Sequence, residues 1–174
     1  LGDDDRGSRS GSAYVFRNLD TATGNITQTV KLTASDGAAN DDFGVAVSLS
    51  GTTALVGARY ADGSVINSGA AYVFQNLDTA TGNITQTIKL TASDGALNDL
   101  FGFSVSIDDD HFVIGANKKE TSRGKAYTGT VSSFTTLDAG NATRVISGLS
   151  FVSQEDWIIG RTTDQNSITL SVGD

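Results

Sequence analysis

Short stretches of alternating apolar and polar residues recur along the chain, and they predict β-strands. Within one stretch we predict four strands, at 26–32, 43–49, 53–58 and 70–77. Alternation with a period of two and many β-branched residues are typical of strands that bury one face. No amphipathic helical pattern of useful length is present. The pattern therefore predicts an all-β fold.

One of these stretches is written twice. Segment 11–58 recurs without a gap as segment 69–116, an offset of 58 residues, and about two-thirds of the positions are identical. A fixed period of this size is typical of repeat architectures, in which each unit buries its apolar face on the next. Four antiparallel strands per repeat predict a blade of a β-propeller. A β-solenoid or an open stack of blades is the alternative.

The repeat also predicts how the chain is divided. We expect propeller repeats over 1–131, with a partial blade at 1–20, a blade at 26–77 and a second blade at 84–131. From 132 to 174 the repeat spacing is lost, and we expect a degenerate blade, a cap or the start of another β-rich segment. Within this segment the pattern predicts strands at 151–152, 157–160 and 167–172. Two blades and a part do not close a ring, which needs at least four.

Charge and composition exclude several classes of partner. Twenty acidic residues against 12 Lys and Arg give a net charge of −8, which disfavours nucleic acid. The absence of cysteine excludes disulfides and thiolate sites. No apolar run approaches the length of a membrane-spanning helix, so we expect no membrane insertion. An acidic, polar surface suits an extracellular protein and suits divalent cations.

Two runs of three acids are the candidate metal ligands. Adjacent carboxylates repel one another, and a cation such as calcium would relieve that repulsion. The alternative is a solvated turn, and apart from calcium we expect no cofactor. The candidates are Asp3, Asp4 and Asp5 in one loop, and Asp108, Asp109 and Asp110 in one hairpin.

A longer loop before each Phe-Gly pair carries further acids, Asp36, Asp41 and Asp42 in the first copy and Asp94 and Asp99 in the second. Here turn chemistry is favoured over a metal site, because Asp42 becomes Leu100 in the second copy.

Catalytic chemistry has no clear signature in the sequence. His111 is the only histidine, it follows an acidic hairpin, and no Ser-His-Asp arrangement is recognisable. No pair of carboxylates is singled out for glycoside hydrolysis. We therefore predict that the chain is not an enzyme. The recurring aromatic residues, Tyr14, Tyr72, Tyr127, Phe16, Phe74, Phe43 and Phe101, are expected to pack between blades, and the sequons at Asn25, Asn83 and Asn141 fall at turns or at glycan acceptors.

Three motif groups recur in order at constant spacing. They are Phe43-Gly44 and Phe101-Gly102, then Val56-Gly57-Ala58 and Ile114-Gly115-Ala116, then the stretch GAAYVF at 69–74. Together they resemble the FG-GAP repeat family, the blades of integrin-α-type propellers, in its bacterial cell-surface or autotransporter-like version. The resemblance implies a β-propeller with roles in adhesion or ligand binding. The family's DxDxDG calcium loop is not matched, since 49–53 holds no carboxylate and 108–110 is not a full loop.

The predicted function is that of a non-enzymatic, secreted or cell-surface module for adhesion or ligand binding. Its partner would be a cell-surface protein or a glycan, recognised by loops 59–68 and 118–123, where the copies differ most. The alternative is a self-assembling structural subunit of a filament or surface layer, which associates through exposed blade edges. A carbohydrate-active enzyme is a third hypothesis.

Overall fold

The structure is a computed structural model that describes residues 5–119 and 123–131, together with the backbone of 157–161 and 168–172. The chain divides into two compact units, Leu1–Val131 and Ser132–Asp174. In the second unit the described strands are β11 (Trp157–Arg161) and β12 (Ile168–Val172), which pair antiparallel. Both were predicted as strands, whereas the strand predicted at 151–152 lies outside the described residues. The role of 132–174 stays a prediction.

Three sheets make up the described part of the first unit, and they confirm the prediction of an all-β fold with blade-like sheets; all pairs of strands are antiparallel except β2 and β6 in sheet 1. Sheet 1 contains β1 (Ala13–Val15), β2 (Val30–Thr33) and β6 (Gly82–Thr85). Sheet 2 has the order β3 (Phe43–Ser50), β4 (Thr53–Ala58), β5 (Ala70–Phe74) and β7 (Ile88–Leu90). Sheet 3 has the order β8 (Phe101–Asp108), β9 (His111–Ala116) and β10 (Lys125–Thr130).

The sheets and the sequence repeat are out of phase by one strand. The sequence predicted a blade over 26–77, but the complete sheet runs from β3 to β7. The strand that opens each sequence repeat instead closes the preceding sheet, since β2 pairs with β1 and β7 pairs with β5. Antiparallel neighbours in the chain pair readily, and the Thr87 N–H donates to the Val73 carbonyl at 2.8 Å where β7 begins its return along β5. The four-stranded sheet is therefore offset by one strand from the predicted blade at 26–77.

The Phe-Gly motif forms a bulge at the start of β3 and at the start of β8. The register of β3 on β4 shifts between Phe43 and Ala46, and Gly44 has φ of 85°. Phe101 and Gly102 repeat this geometry on β8 with the same φ. A left-handed backbone at the bulge favours glycine because no Cβ is present.

The core lies between the sheets in two clusters. One face of sheet 2 presents Val56, Tyr72 and Phe74 toward the Val30 and Leu32 side chains of sheet 1. The other face is buried against sheet 3, and its members are Leu55, Ala71 and Val73, packed with Phe101, Ile107, Ile114 and Ala116. Each sheet is therefore an apolar layer that depends on its neighbours, as expected for blades.

The recurring aromatic residues of sheets 2 and 3 lie in or against the core clusters, whereas those on and after β1 of sheet 1 are more exposed. The Phe43 ring lies 5.5 Å from the Tyr72 ring, and the Phe101 ring lies 5.2 Å from the Tyr127 ring, as centroid distances. Tyr14 is 42% exposed and Phe16 is 45% exposed, however, so the prediction that the recurring aromatic residues pack between blades was wrong for these two. In the described residues sheet 1 has no counterpart of β3 and β4, and its aromatic side chains face less protein.

Candidate functional site

The long loops gather at one end of the sheets. Because β3, β4 and β5 are antiparallel, the start of β3, the end of β4 and the start of β5 lie at the same end. Loops 34–42, 59–69 and 91–100, together with residues 117–119 and 123–124, therefore share this end, which we call the loop end. The tight turns at 51–52 and 109–110 lie at the opposite end, the hairpin end.

A buried carboxylate, Asp42, organises the loop end between sheets 1 and 2. Its side chain is fully buried and it accepts hydrogen bonds from two arginines. The Arg9 Nη2 lies 3.0 and 3.1 Å from the two carboxylate oxygens, and the Arg59 Nε and Nη2 lie 2.9 and 2.8 Å from Oδ2. Two guanidinium groups thus neutralise one carboxylate that is shielded from water, an arrangement that is strong because it is charge-assisted.

The equivalent positions between sheets 2 and 3 carry no charge. They are Asn67, Leu100 and Asn117, each 58 residues after its counterpart in the Arg9, Asp42 and Arg59 cluster. The backbone is nevertheless the same, with φ of 54° at Asp42 and 61° at Leu100. The two copies therefore hold one backbone geometry with two different sets of side chains.

We call the contact between sheets 1 and 2 the first junction and that between sheets 2 and 3 the second junction. At the second junction a buried lysine supplies the positive charge that Arg9 and Arg59 supply at the first. Lys119 is buried, its Nζ lies 2.8 Å from the Asp99 carboxylate, and it also donates to the Asp94 carbonyl. In the first copy the position of Lys119 is occupied by Ala61. Asp94 itself accepts from the Lys125 Nζ and the Tyr127 hydroxyl, each at 2.7 Å.

These contacts shift the acidity of the loop carboxyls in opposite directions. Hydrogen bonds from Lys125 and Tyr127 lower the pKa of Asp94 to about 2. Burial opposes the ionisation of Asp36, but the hydrogen bond and charge of Lys89, whose Nζ lies 2.5 Å away, outweigh it and lower the pKa of Asp36. Burial raises the pKa of Asp41, and nearby Asp62 adds to that rise. Burial also raises the pKa of the Tyr72 hydroxyl above its usual range.

Exposed apolar side chains lie at the tips of the loops at the second junction. Ile66 is 65% exposed, Leu97 is 63% exposed and Val65 is 43% exposed. Their two loops are joined by a hydrogen bond of 3.1 Å from the Ser64 hydroxyl to the Ala92 carbonyl. We call these three side chains the apolar tip.

The first junction has small residues at the matching positions, Gly7, Ser8 and Ala39. The loops are in contact there as well, since a Cβ placed on Gly7 would lie 3.0 Å from the Ala39 Cβ. The apolar tip is therefore a property of one junction, although the two share a backbone plan. The sequence contained the signal, since Ala39 becomes Leu97 in a segment that is otherwise nearly invariant.

A comparison with known protein families shows to which family the chain belongs. The model of the FG-GAP repeat matches residues 26–74 and 84–129, which together make up more than half of the chain. The chain belongs to the FG-GAP repeat family. No curated protein matches it. FG-GAP repeats suggest a ligand-binding or adhesion-type module, they are generally non-enzymatic, and they typically occur in extracellular or surface proteins. Among the described residues, no helix has the length and apolarity needed to cross a membrane.

The predicted metal ligands of this FG-GAP chain fall at different places. Asp5 lies at the loop end and forms an ion pair with Lys31, whereas Asp3 and Asp4 lie outside the described residues. Asp108, Asp109 and Asp110 lie at the hairpin end, where the Asp110 Oδ1 is 2.6 Å from the His111 Nδ1. Within 5–119 and 123–131, no group of three or more acidic or histidine side chains is arranged to hold a metal ion. Calcium binding stays a prediction.

The sequon asparagines and His111 were also named from the sequence, and the structure places three of these four residues. Asn83 lies within β6 rather than in a turn, because its strand pairs in parallel with β2. Asn25 is exposed in a loop, and Asn141 lies outside the described residues. His111 is exposed at the start of β9.

Asp94 provides a test of the loop-end electrostatics. Because its pKa is lowered in the folded state, its contribution to stability is present above the unfolded pKa near 3.8 and is lost as the pH falls toward 2. We expect Asp94→Asn to flatten the loss of stability between these pH values, measured by urea unfolding at a series of pH values. Asp20→Asn, at an exposed turn after β1, is the control. Equal acid dependence in Asp94→Asn and in the unmodified chain would contradict the assignment.

Proposed function

We propose that this FG-GAP chain is a non-enzymatic ligand-binding module of a secreted or cell-surface adhesion protein, and that it binds through the loop end of the second junction. The observation that carries the proposal is the apolar tip, in which three large aliphatic side chains are exposed on two adjoining loops. Exposed apolar side chains surrounded by polar residues are typical of interaction sites.

Charged groups around the tip would add specificity. Lys89 bridges the Asp36 carboxylate and the Asp62 carbonyl, and Asp62 precedes the loop tip. Lys89 lies on β7 and ties both loops to that strand, so loop 59–69 starts from a rigid base. Binding residues on loops that a rigid scaffold positions are common in β-rich recognition modules. The partner we propose is a cell-surface protein or a glycan.

The proposal is tested by charge substitution at the tip. The probes are immobilised cell-surface glycoproteins and a glycan array, on which the chain is first screened for binding. We expect Ile66→Asp and Leu97→Asp each to weaken binding to the best probe by about tenfold or more. Each substitution removes an apolar side chain that the bound ligand would cover and places a charge in the binding surface. The stability of both variants should be unchanged because the side chains are exposed.

The control is Leu19→Asp, which carries the same substitution at a residue that is 61% exposed at the hairpin end. It should bind as the unmodified chain does. If both tip variants bind like the control, the loop end of the second junction is not the recognition surface. If the unmodified chain binds none of the probes, the assignment to cell-surface proteins and glycans of these classes is wrong.

A further inference from the structure

Arg59 is fixed through two of its three guanidinium nitrogens. It follows β4 at the loop end, and its Nε and Nη2 donate to the Asp42 Oδ2 at 2.9 and 2.8 Å. The third nitrogen, Nη1, donates to no residue within the part of the chain that the structure describes. The side chain is 25% exposed. Because the edge with Nε and Nη2 faces a fully buried carboxylate, the exposed part of the guanidinium is the Nη1 edge.

Two aromatic rings flank this guanidinium. The Arg59 Cζ lies 5.0 Å from the Tyr60 ring centroid and 5.9 Å from the Phe103 ring centroid. Such contacts favour one orientation of the guanidinium plane. Phe103 is itself 38% exposed. A fixed cationic donor therefore lies beside an accessible aromatic ring, and we call Arg59, Tyr60 and Phe103 the arginine–aromatic site.

The site lies where sheet 2 packs directly on sheet 3. Arg59 and Tyr60 follow β4 of sheet 2, and Phe103 lies in the bulge at the start of β8 of sheet 3. The two strands approach closely there, because Gly57 has no side chain and admits the Gly102 carbonyl. The geometry of the site is therefore set by a junction that the structure describes on both sides.

The combination of arginine and phenylalanine is not needed to build the junction. The positions one repeat away from Arg59, Tyr60 and Phe103 hold Asn117, Lys118 and Val45. The bulge that carries Phe103 is the same in both copies, with φ of 85° at Gly44 and at Gly102. The fold thus accepts other side chains at these positions, and the arginine–aromatic site is a local addition to a shared backbone.

The chemistry of the site selects a ring that carries a carboxylate. A guanidinium edge with two N–H donors binds a carboxylate in preference to a neutral acceptor. An exposed aromatic ring can pack against the apolar face of a sugar ring, whose hydroxyls stay in water. The Arg59 Cζ and the Phe103 centroid are only 5.9 Å apart, so one small ligand must make both contacts. A hexuronic acid, in which the carboxylate is attached directly to the sugar ring, meets this requirement.

The acidic residues near Arg59 already accept other hydrogen bonds. Asp41 accepts from the Ala38 N–H at 2.8 Å, and Asp62 accepts from the Asn67 N–H at 2.9 Å. The single charge of Asp42 is shared between two guanidinium groups. Arg59 therefore keeps an attraction for a second carboxylate.

We propose that the arginine–aromatic site binds a hexuronic acid residue of an acidic glycan. The carboxylate accepts from the Arg59 Nη1 edge, the sugar ring packs on Phe103, and Tyr60 positions the guanidinium. An acidic side chain of a protein fits less well, because it has no ring to cover Phe103. The site uses none of the apolar-tip residues, so this inference does not rest on the function proposed for the tip.

The test is an NMR titration of the ¹⁵N-labelled 174-residue chain with matched pairs of monosaccharides. The probes are the methyl glycosides of glucuronic, galacturonic and mannuronic acid, each paired with its parent hexose, which lacks the carboxylate. We expect at least one uronide to bind with a dissociation constant of about 1–10 mM and to shift the Arg59 Nε–H signal. Its parent hexose should bind at least about tenfold more weakly.

Two variants remove the two halves of the site. Arg59→Lys keeps a positive charge beside Asp42 but loses the second donor edge. Phe103→Val introduces the side chain that Val45 provides on the same bulge, so its unfolding midpoint should change little. We expect each variant to weaken uronide binding by about fivefold or more. The control Leu19→Asp, at the hairpin end, should bind like the unmodified chain.

Four results would overturn the proposal. The first is no saturable shift with any of the three uronides up to about 50 mM. The second is equal binding of the best uronide and its parent hexose. The third is equal binding of N-acetylglutamate amide, which carries a carboxylate without a sugar ring and would assign the arginine edge to acidic protein side chains. The fourth is uronide binding that neither Arg59→Lys nor Phe103→Val weakens, which would place the sugar elsewhere on the chain.

Discussion

Replacement of Asp42 by alanine is expected to lower the free energy of unfolding by about 3 kcal/mol. The carboxylate is fully buried and accepts from both Arg9 and Arg59, so its removal leaves two guanidinium groups without their shared partner. Because the Arg9 side chain is 55% exposed and regains water, the cost should lie at the lower end for a buried ion pair. Urea unfolding followed by far-ultraviolet circular dichroism measures the change.

The second junction supplies the matched control for Asp42. The triple variant Arg9→Asn, Asp42→Leu and Arg59→Asn introduces the side chains of Asn67, Leu100 and Asn117 on the same backbone. We expect this variant to regain most of the lost stability, to within about 1 kcal/mol of the unmodified chain, because a buried ionic cluster can be exchanged for apolar packing at little cost. If Asp42→Ala were as stable as the exposed-site variant Asp20→Ala, the ionic cluster would have no role in joining the sheets.

Alanine at Gly57 is expected to destabilise the protein by more than about 3 kcal/mol. A Cβ there would overlap the Gly102 carbonyl oxygen and lie 3.0 Å from its carbon, and both atoms belong to the backbone of the next sheet. Relief would require the two sheets to move apart, which exposes the apolar cluster around Leu55.

The same substitution at Gly115 separates this steric effect from strand propensity. Gly115 occupies the equivalent position on β9, but its Cβ would meet only the Ser104 side chain. We expect Gly115→Ala to change stability by less than about 1 kcal/mol, measured by thermal and urea unfolding at a concentration of about 1 µM. Equal destabilisation by the two substitutions would mean that the close approach of Gly102 does not limit sheet packing.

The all-β fold, the blade-like sheets and the position of most strands could be predicted from the sequence. Alternation and repeat spacing report on which residues are buried, and this holds for β3, β4 and their counterparts β8 and β9. The phase of the blade could not be predicted, because a repeat reads the same wherever its start is placed. Only the pairing of β7 with β5 settles which strand closes the sheet.

Identical sequence also adopts different structure in the two copies. The residues GNIT form strand β6 at 82–85, where they pair with β2, but at 24–27 they form no strand. Local propensity is the same in both places, so the neighbouring edge decides the outcome. The Arg9, Asp42 and Arg59 cluster was missed for a related reason, since residues from three separate segments meet only in the folded sheets. Loops 59–68 and 118–123 were predicted as the recognition surface from divergence between the copies. Two residues of the apolar tip, Val65 and Ile66, lie in the first of these loops, whereas Leu97 lies in loop 91–100, which was not part of the prediction.

An exchange of the loop tips tests the central claim most directly. The variant Val65→Gly, Ile66→Ser and Leu97→Ala gives the second junction the tip residues of the first, which are Gly7, Ser8 and Ala39. Its binding to the best of the immobilised probes should fall by at least about tenfold while its unfolding midpoint stays unchanged. Unchanged binding by a stably folded exchange variant would contradict the claim that this FG-GAP module recognises its partner through the loop end of the second junction.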